Sequence, residues 1–115
     1  MFVVMNRIPV NPEYNEAFIE RFQDRAVLVD RMPGFVSFQL LQPAGPDQPF
    51  VVMTVWESQE HFEAWTRSDE FKQGHAQSGQ LPQDAFLTHP KLETFDVVIN
   101  ARHGEILAEG AEVGE

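Results

Sequence analysis

The chain contains no cysteine in its 115 residues. Disulfides, thiolate metal sites and cysteine nucleophiles are thereby excluded, and the absence agrees with a reducing compartment, so a cytoplasmic location is expected. Cations are scarce as well: eight Lys and Arg stand against 18 Asp and Glu, a formal charge of −10. A surface of that sign repels phosphate backbones and anionic lipid, so neither nucleic acid nor membrane is an expected partner. No apolar run approaches the roughly 18 residues of a membrane span. The opening "MFVVMNRIPV" lacks a basic leader and is interrupted by Asn6 and Arg7, which makes it a first strand. Gly-rich phosphate loops, nucleophile elbows and paired-carboxylate signatures are absent too.

Aromatic residues are plentiful. Ten phenylalanines and two tryptophans in a chain of single-domain length supply more apolar surface than a small core covers. Their spacing gives the order of elements. Phe2, Val4 and Ile8 alternate through residues 2–9 as a strand, with Asn6 as an amide on the same face. Asn11, Pro12 and Glu13 start a helix in which Tyr14, Phe18, Phe22, Ala26 and Val29 recur at helical intervals over 12–31, and "MPGF" ends it. "FVSFQLLQ" at 35–42 and "FVVMTVWE" at 50–57 read as an antiparallel hairpin across a Pro- and Gly-rich loop. The second of these strands is apolar on both faces, Phe50, Val52 and Trp56 on one and Val51, Met53 and Val55 on the other, which predicts that a second subunit covers what helices cannot.

Ser58 caps a second helix bearing His61, Phe62 and Trp65, and "SDEFKQGH" restarts it. In one unbroken helix the ten residues between Trp65 and His75 would turn through about 1000° and leave the two side chains facing apart. Ser68 as a new N-cap, with Asp69 and Glu70 at the positive end of a helix, predicts a break near Arg67 that lets indole and imidazole approach one site. Residues 76–91 read as a long loop, 92–99 as a fourth strand and 101–115 as a flexible acidic tail after a single domain spanning 1–100. Strand, helix, strand, strand, helix, strand is the ferredoxin-like βαββαβ arrangement of the α+β class, expected here as a dimeric α/β barrel.

Asn6, Trp65 and His75 stand out as site residues. Each also has a plain structural reading: a strand amide bonded to backbone, a core indole, a surface histidine near a helix end. His61, among glutamates and without a partner at i+4, does not suggest zinc.

Taken with their surroundings these residues resemble a known family. Asn6 in "MNR", "PGF" at 33–35, "TVWES" at 54–58, and "AW" at 64–65 followed by "SDEFKQGH" at 68–75 are similar to the antibiotic biosynthesis monooxygenase superfamily, and within it to the IsdG-like heme-degrading monooxygenases. The resemblance covers roughly residues 1–100, and the Asn6, Trp65, His75 combination is its specific part. It implies an oxidoreductase that opens heme with O2 and an external electron donor, releasing iron, with heme as both cofactor and substrate. His75 is then the proximal ligand of the heme iron, Asn6 a distal hydrogen-bond donor to the oxygen ligand, and Trp65 the side chain that presses the porphyrin out of plane. Phe22, Phe62, Phe71 and Val4 are implied as the apolar lining. The same resemblance implies a homodimer and a reductase of unspecified identity. A cofactor-independent quinol or polyketide monooxygenase of the same fold, a heme carrier or sensor, and a dimeric module without ligand remain as alternatives at this stage, since one architecture hosts unrelated functions.

Overall fold

Antiparallel pairing of two apolar strands around a third sets the frame of the molecule. The computed structural model describes residues 1–78, 81–102 and 104, and the side chains of residues 24–27 and 74–78 lie outside that description, as does the expected acidic tail over 105–115. Strand β1 (Phe2–Ile8) leads through a short 3-10 turn (Pro12–Tyr14) into α1 (Asn15–Val29), then β2 (Phe35–Leu41), β3 (Phe50–Trp56), α2 (Gln59–Thr66), α3 (Asp69–Ser78), a second 3-10 turn (Gln83–Ala85) and β4 (Lys91–Asp96). The sheet runs β2-β3-β1-β4 with every pairing antiparallel, the ferredoxin-like order. Asn11 caps the first turn as expected, its side chain accepting from the Glu13 N–H at 3.2 Å with Pro12 behind it.

Helices cover one face of the sheet. Alternation along β1 buries Phe2, Val4 and Ile8 against them, and α1 sinks Phe18, Phe22 and Val29 into the same layer. Two apolar clusters result. One gathers Phe2, Val4, Val29, Trp56 and Trp65; the other gathers Ile8, Val10, Phe18, Phe22 and Phe50. Trp56 and Phe50, at 0% and 1% exposure, are the closed centres of these clusters.

The turn "PGF" shows how sequence fixes packing. Gly34 takes φ +78°, and a Cβ there would collide with the ring of His61 on α2. That ring is itself held: Ser58 Oγ accepts the His61 N–H at 3.3 Å and shares a 2.7 Å hydrogen bond with Nδ1. Gly34→Ala therefore combines backbone strain with overpacking and is expected to cost about 3 kcal/mol, read as a shifted urea midpoint at constant m-value.

The other face of the sheet carries Val3, Met5, Val51, Met53 and Val55, all half-buried in the single chain, with Phe95 at 46% exposure beside them. On this face Arg7 Nε donates to Glu93 Oε1 at 2.7 Å, with Lys91 Nζ 3.7 Å from the other carboxylate oxygen. The Arg7 hydrogen bond holds the Glu93 carboxyl below its ordinary 4.5. A depressed folded value means the pair contributes above the unfolded pKa and its contribution is lost as pH falls through the folded one. Arg7→Met is expected to move the Glu93 midpoint up toward 4.5, followed by carboxyl carbon NMR; an unmoved midpoint would show that the pair does not persist in solution.

Several boundaries differ from the sequence expectation, most by one residue and three with more consequence. α1 stops at Val29, where a turn in which the Met32 N–H donates to the Val29 carbonyl leads to Gly34. The segment 76–91 is only partly loop, since α3 runs to Ser78 and Gln83–Ala85 form a 3-10 turn, with residues 79–80 outside the described part. β4 ends at Asp96 and not at 99, because Asp96 faces Phe2, the first residue of β1, and beyond it only the Val97 N–H reaches the Met1 carbonyl. Val98 and Ile99 are accordingly exposed, at 89% and 62%.

Candidate functional site

The helix break near Arg67 is present and its chemistry is local. Arg67 ends α2, the Ser68 hydroxyl donates to the Trp65 carbonyl at 2.7 Å, and Ser68 Oγ accepts the Phe71 N–H at 3.0 Å, so one serine closes α2 and opens α3. The two helices leave between themselves and the sheet a cavity of about 310 Å³, near the lower end of the range for small-molecule pockets of roughly 300–1,000 Å³.

Its sheet floor is built by Val4 and Asn6 of β1 and by Val52 and Thr54 of β3; Phe62, Trp65 and Phe71 of α2 and α3 wall it, with Val29 and Phe38 behind. Pro90 and Leu92 complete it, and since Leu92 is 58% exposed that side is the mouth. Asn6 comes to the floor because period-2 alternation sets it on the Val4 and Ile8 side, paired with Val52 and Leu92. Its amide has no side-chain hydrogen-bond partner among the described residues, and a polar group without a protein partner in an apolar wall is available to an occupant.

Trp65 is 9% exposed and sits between two aromatic neighbours. Its ring stacks on Trp56, with centroids 6.2 Å apart at 29°, and meets Phe71 edge-on at 5.5 Å and 89°. Phe62 packs between Phe2 and Trp56, at 5.9 and 6.1 Å. No residue among the described lining carries a charge, and its polar side chains are Asn6 and Thr54 on the sheet and Thr66 and the Trp65 indole on α2.

Asn6, Trp65, Phe62, Phe71 and Val4 thus meet in one cavity. Phe22 does not. It belongs to the second cluster, its ring 5.0 Å from Phe18 and 6.3 Å from the cavity residue Phe38, and it lines a neighbouring groove with Ile19 and Phe50. α3 carries position 75 one turn beyond Phe71, and the His75 side chain itself lies outside the described residues. Sequence reasoning passed over Val29, Phe38, Val52, Thr54, Thr66, Pro90 and Leu92. Thr54 was open to detection by the argument that singled out Asn6, since alternation sets it as a polar group between Val52 and Trp56.

The mouth is positioned from far away. Ala85, fully buried, accepts the Asn11 N–H at 2.7 Å, the Leu87 N–H donates to the Pro9 carbonyl at 2.9 Å, and Tyr14 Oη donates to Asp84 Oδ1 at 3.1 Å. That bond to Asp84 pushes the Tyr14 hydroxyl pKa up from its ordinary value. Together these contacts pin residues 82–87 to the end of β1.

Known proteins share this chain's pattern. The family model described as antibiotic biosynthesis monooxygenase matches residues 1–77. A heme oxygenase (mycobilin-producing) of Mycobacterium tuberculosis is 41% identical over 98 residues, covering 85% of this chain and 90% of its own. A heme-degrading monooxygenase of Bacillus cereus is 29% identical over 101 residues, covering 86% and 92%. Among solved structures, the M. tuberculosis heme-degrader with two hemes bound in its active site superposes with a TM-score of 0.71 at 32% identity, over 89% of this chain and 100% of that one.

Proposed function

The chain belongs to the antibiotic biosynthesis monooxygenase family, and on that premise we propose that it is a heme-degrading monooxygenase whose substrate is the macrocycle it binds. The observation that supports this most directly is that the Asn6 amide and the Trp65 indole, far apart in sequence, wall one apolar cavity beneath the helix that carries His75.

The cavity suits such a guest. Phe62, Phe71, Val4, Val29 and Val52 offer apolar surface to the two faces of a porphyrin. No described lining residue is a cation, so the exposed rim at Pro90 and Leu92 is the side that would leave ionised propionates in water. Bound heme supplies the iron at which O2 is activated with electrons from an external donor, and is itself the molecule oxidised. The chain's residues do the rest. His75, carried on α3, would hold the iron through a ring nitrogen. The Asn6 amide donates from the sheet side and favours one orientation of the reacting group. Trp65, backed by Trp56, would bear on the macrocycle, while Phe62 and Phe71 would exclude water. The open apolar face of the sheet meets a second copy of the chain, giving a homodimer, and the protein works in the cytoplasm with a separate reductase.

Titration of the heme-free protein with hemin, followed by ascorbate under air, tests the reading. Saturable binding with a Soret band, then bleaching and iron release, is the expected course. A protein that takes up no hemin belongs instead with the metal-free oxygenases of the fold. One that holds a stable, unbleached complex is a carrier.

A further inference from the structure

Beneath the indole of Trp65 lies a second indole whose only polar atom has a single partner. Trp56 is 0% exposed, and its Nε1–H donates to Thr54 Oγ1 at 2.9 Å. At that depth no water replaces the bond, so rotating the Trp56 ring strands a buried donor. Phe35 meets it edge-on at 5.7 Å and 78°, and Phe62 at 6.1 Å and 60°, and the hydrogen bond is the one directional contact that these rings do not supply. Trp65 then lies on Trp56 at 29°. Its backbone carbonyl is held by the Ser68 hydroxyl, and its ring is held between the Trp56 stack and the edge-on Phe71.

Thr54 is 9% exposed on the central strand β3, between Val4 of β1 and Phe38 of β2. Valine has the same outline and suits a strand at least as well. What threonine adds at this place is the oxygen. We propose that Thr54 is a positioning residue of the site: by accepting the Trp56 indole hydrogen it sets the plane of Trp56, and through the stacked pair the plane in which Trp65 meets the cavity occupant. The consequence for turnover rests on the heme-degrading reading; the geometry of the pair does not.

The chain's two tryptophans are this pair, so their coupled transitions report on it without interference. Far-ultraviolet circular dichroism of the heme-free protein is expected to show an exciton couplet, absent in Trp65→Phe. Thr54→Val is expected to lose at least about half of the couplet while the helical signal stays, and Thr54→Ser to restore it. In hemin-loaded protein with ascorbate, Thr54→Val is expected to lower kcat by about tenfold with hemin affinity within about threefold, and the serine variant again to recover. A wild-type couplet in Thr54→Val overturns the proposal. So does a lost couplet with undiminished kcat, because the indole plane then has no bearing on the reaction. Should the valine variant not fold, Trp56→Phe poses the question from the other side of the bond, and wild-type kcat in that variant is equally fatal. Failure of the wild-type protein to take up hemin would sink the functional reading alone, since the couplet is read without heme.

Discussion

Alanine at position 6 is expected to leave hemin binding within about threefold of wild type and to slow ring opening by about 100-fold, the usual scale for removing one preorganised donor. The two effects separate because of where Asn6 stands. β1 is hydrogen-bonded to β3 and β4 on its two sides, so the backbone at Asn6, facing Val52 and Leu92, does not depend on its side chain. The amide has no partner among the described residues, so its loss strands nothing and should lower stability by less than about 1 kcal/mol. Asn6→Leu sharpens the result. It keeps the approximate volume and removes the donor without adding a charge, and should be as slow as alanine. A rate in Asn6→Ala equal to wild type, or a fall in affinity that matches the fall in rate, would show that the amide contributes to binding or to nothing.

His75→Ala should have the opposite signature. If His75 holds the iron as proposed, its removal is expected to weaken hemin binding by at least about 100-fold and to remove the Soret shift of the complex, and added imidazole should restore part of it. The heme-free protein should melt no lower, because alanine is the better helix former on α3. Thermal unfolding with and without hemin makes the contrast quantitative. Ligand at 100 times its Kd stabilises by about 2.7 kcal/mol, a shift the wild type should show and the variant should not. A variant that binds as tightly as wild type would assign the iron to another residue.

Local chemistry was the most legible part of the molecule. The break between α2 and α3 could be read from Ser68, Asp69 and Glu70 because a cap is decided within a few residues, and the structure puts both bonds of that cap on one hydroxyl. Asn6 was legible because period 2 assigns a face without any tertiary information. Phe22 shows where such reasoning stops. Helical periodicity says that a side chain faces the core but not which part of the core. Seven residues along α1 span about 10 Å, which separates Phe22, among Phe18 and Phe50, from Val29, at the cavity. The end of strand β4 was misplaced for a related reason. Val97, Val98 and Ile99 have strand propensity, but a strand lasts only as long as its neighbour, and β1 begins at Phe2. Thr54 went unnoticed because a threonine in a strand is ordinary; only the buried Trp56 N–H beside it gives the hydroxyl a purpose.

The cavity is also uneven in how firmly its sides are held. β1 and β3 are the inner strands of the sheet and bear Asn6 and Thr54, whereas the rim residue Leu92 belongs to an edge strand and Pro90 immediately precedes it. Opening the inner strands means unfolding most of the molecule, while an edge can yield on its own. A wide, stiff guest can therefore be admitted by brief breathing of the doorway, and the bed it comes to rest on keeps its contour throughout.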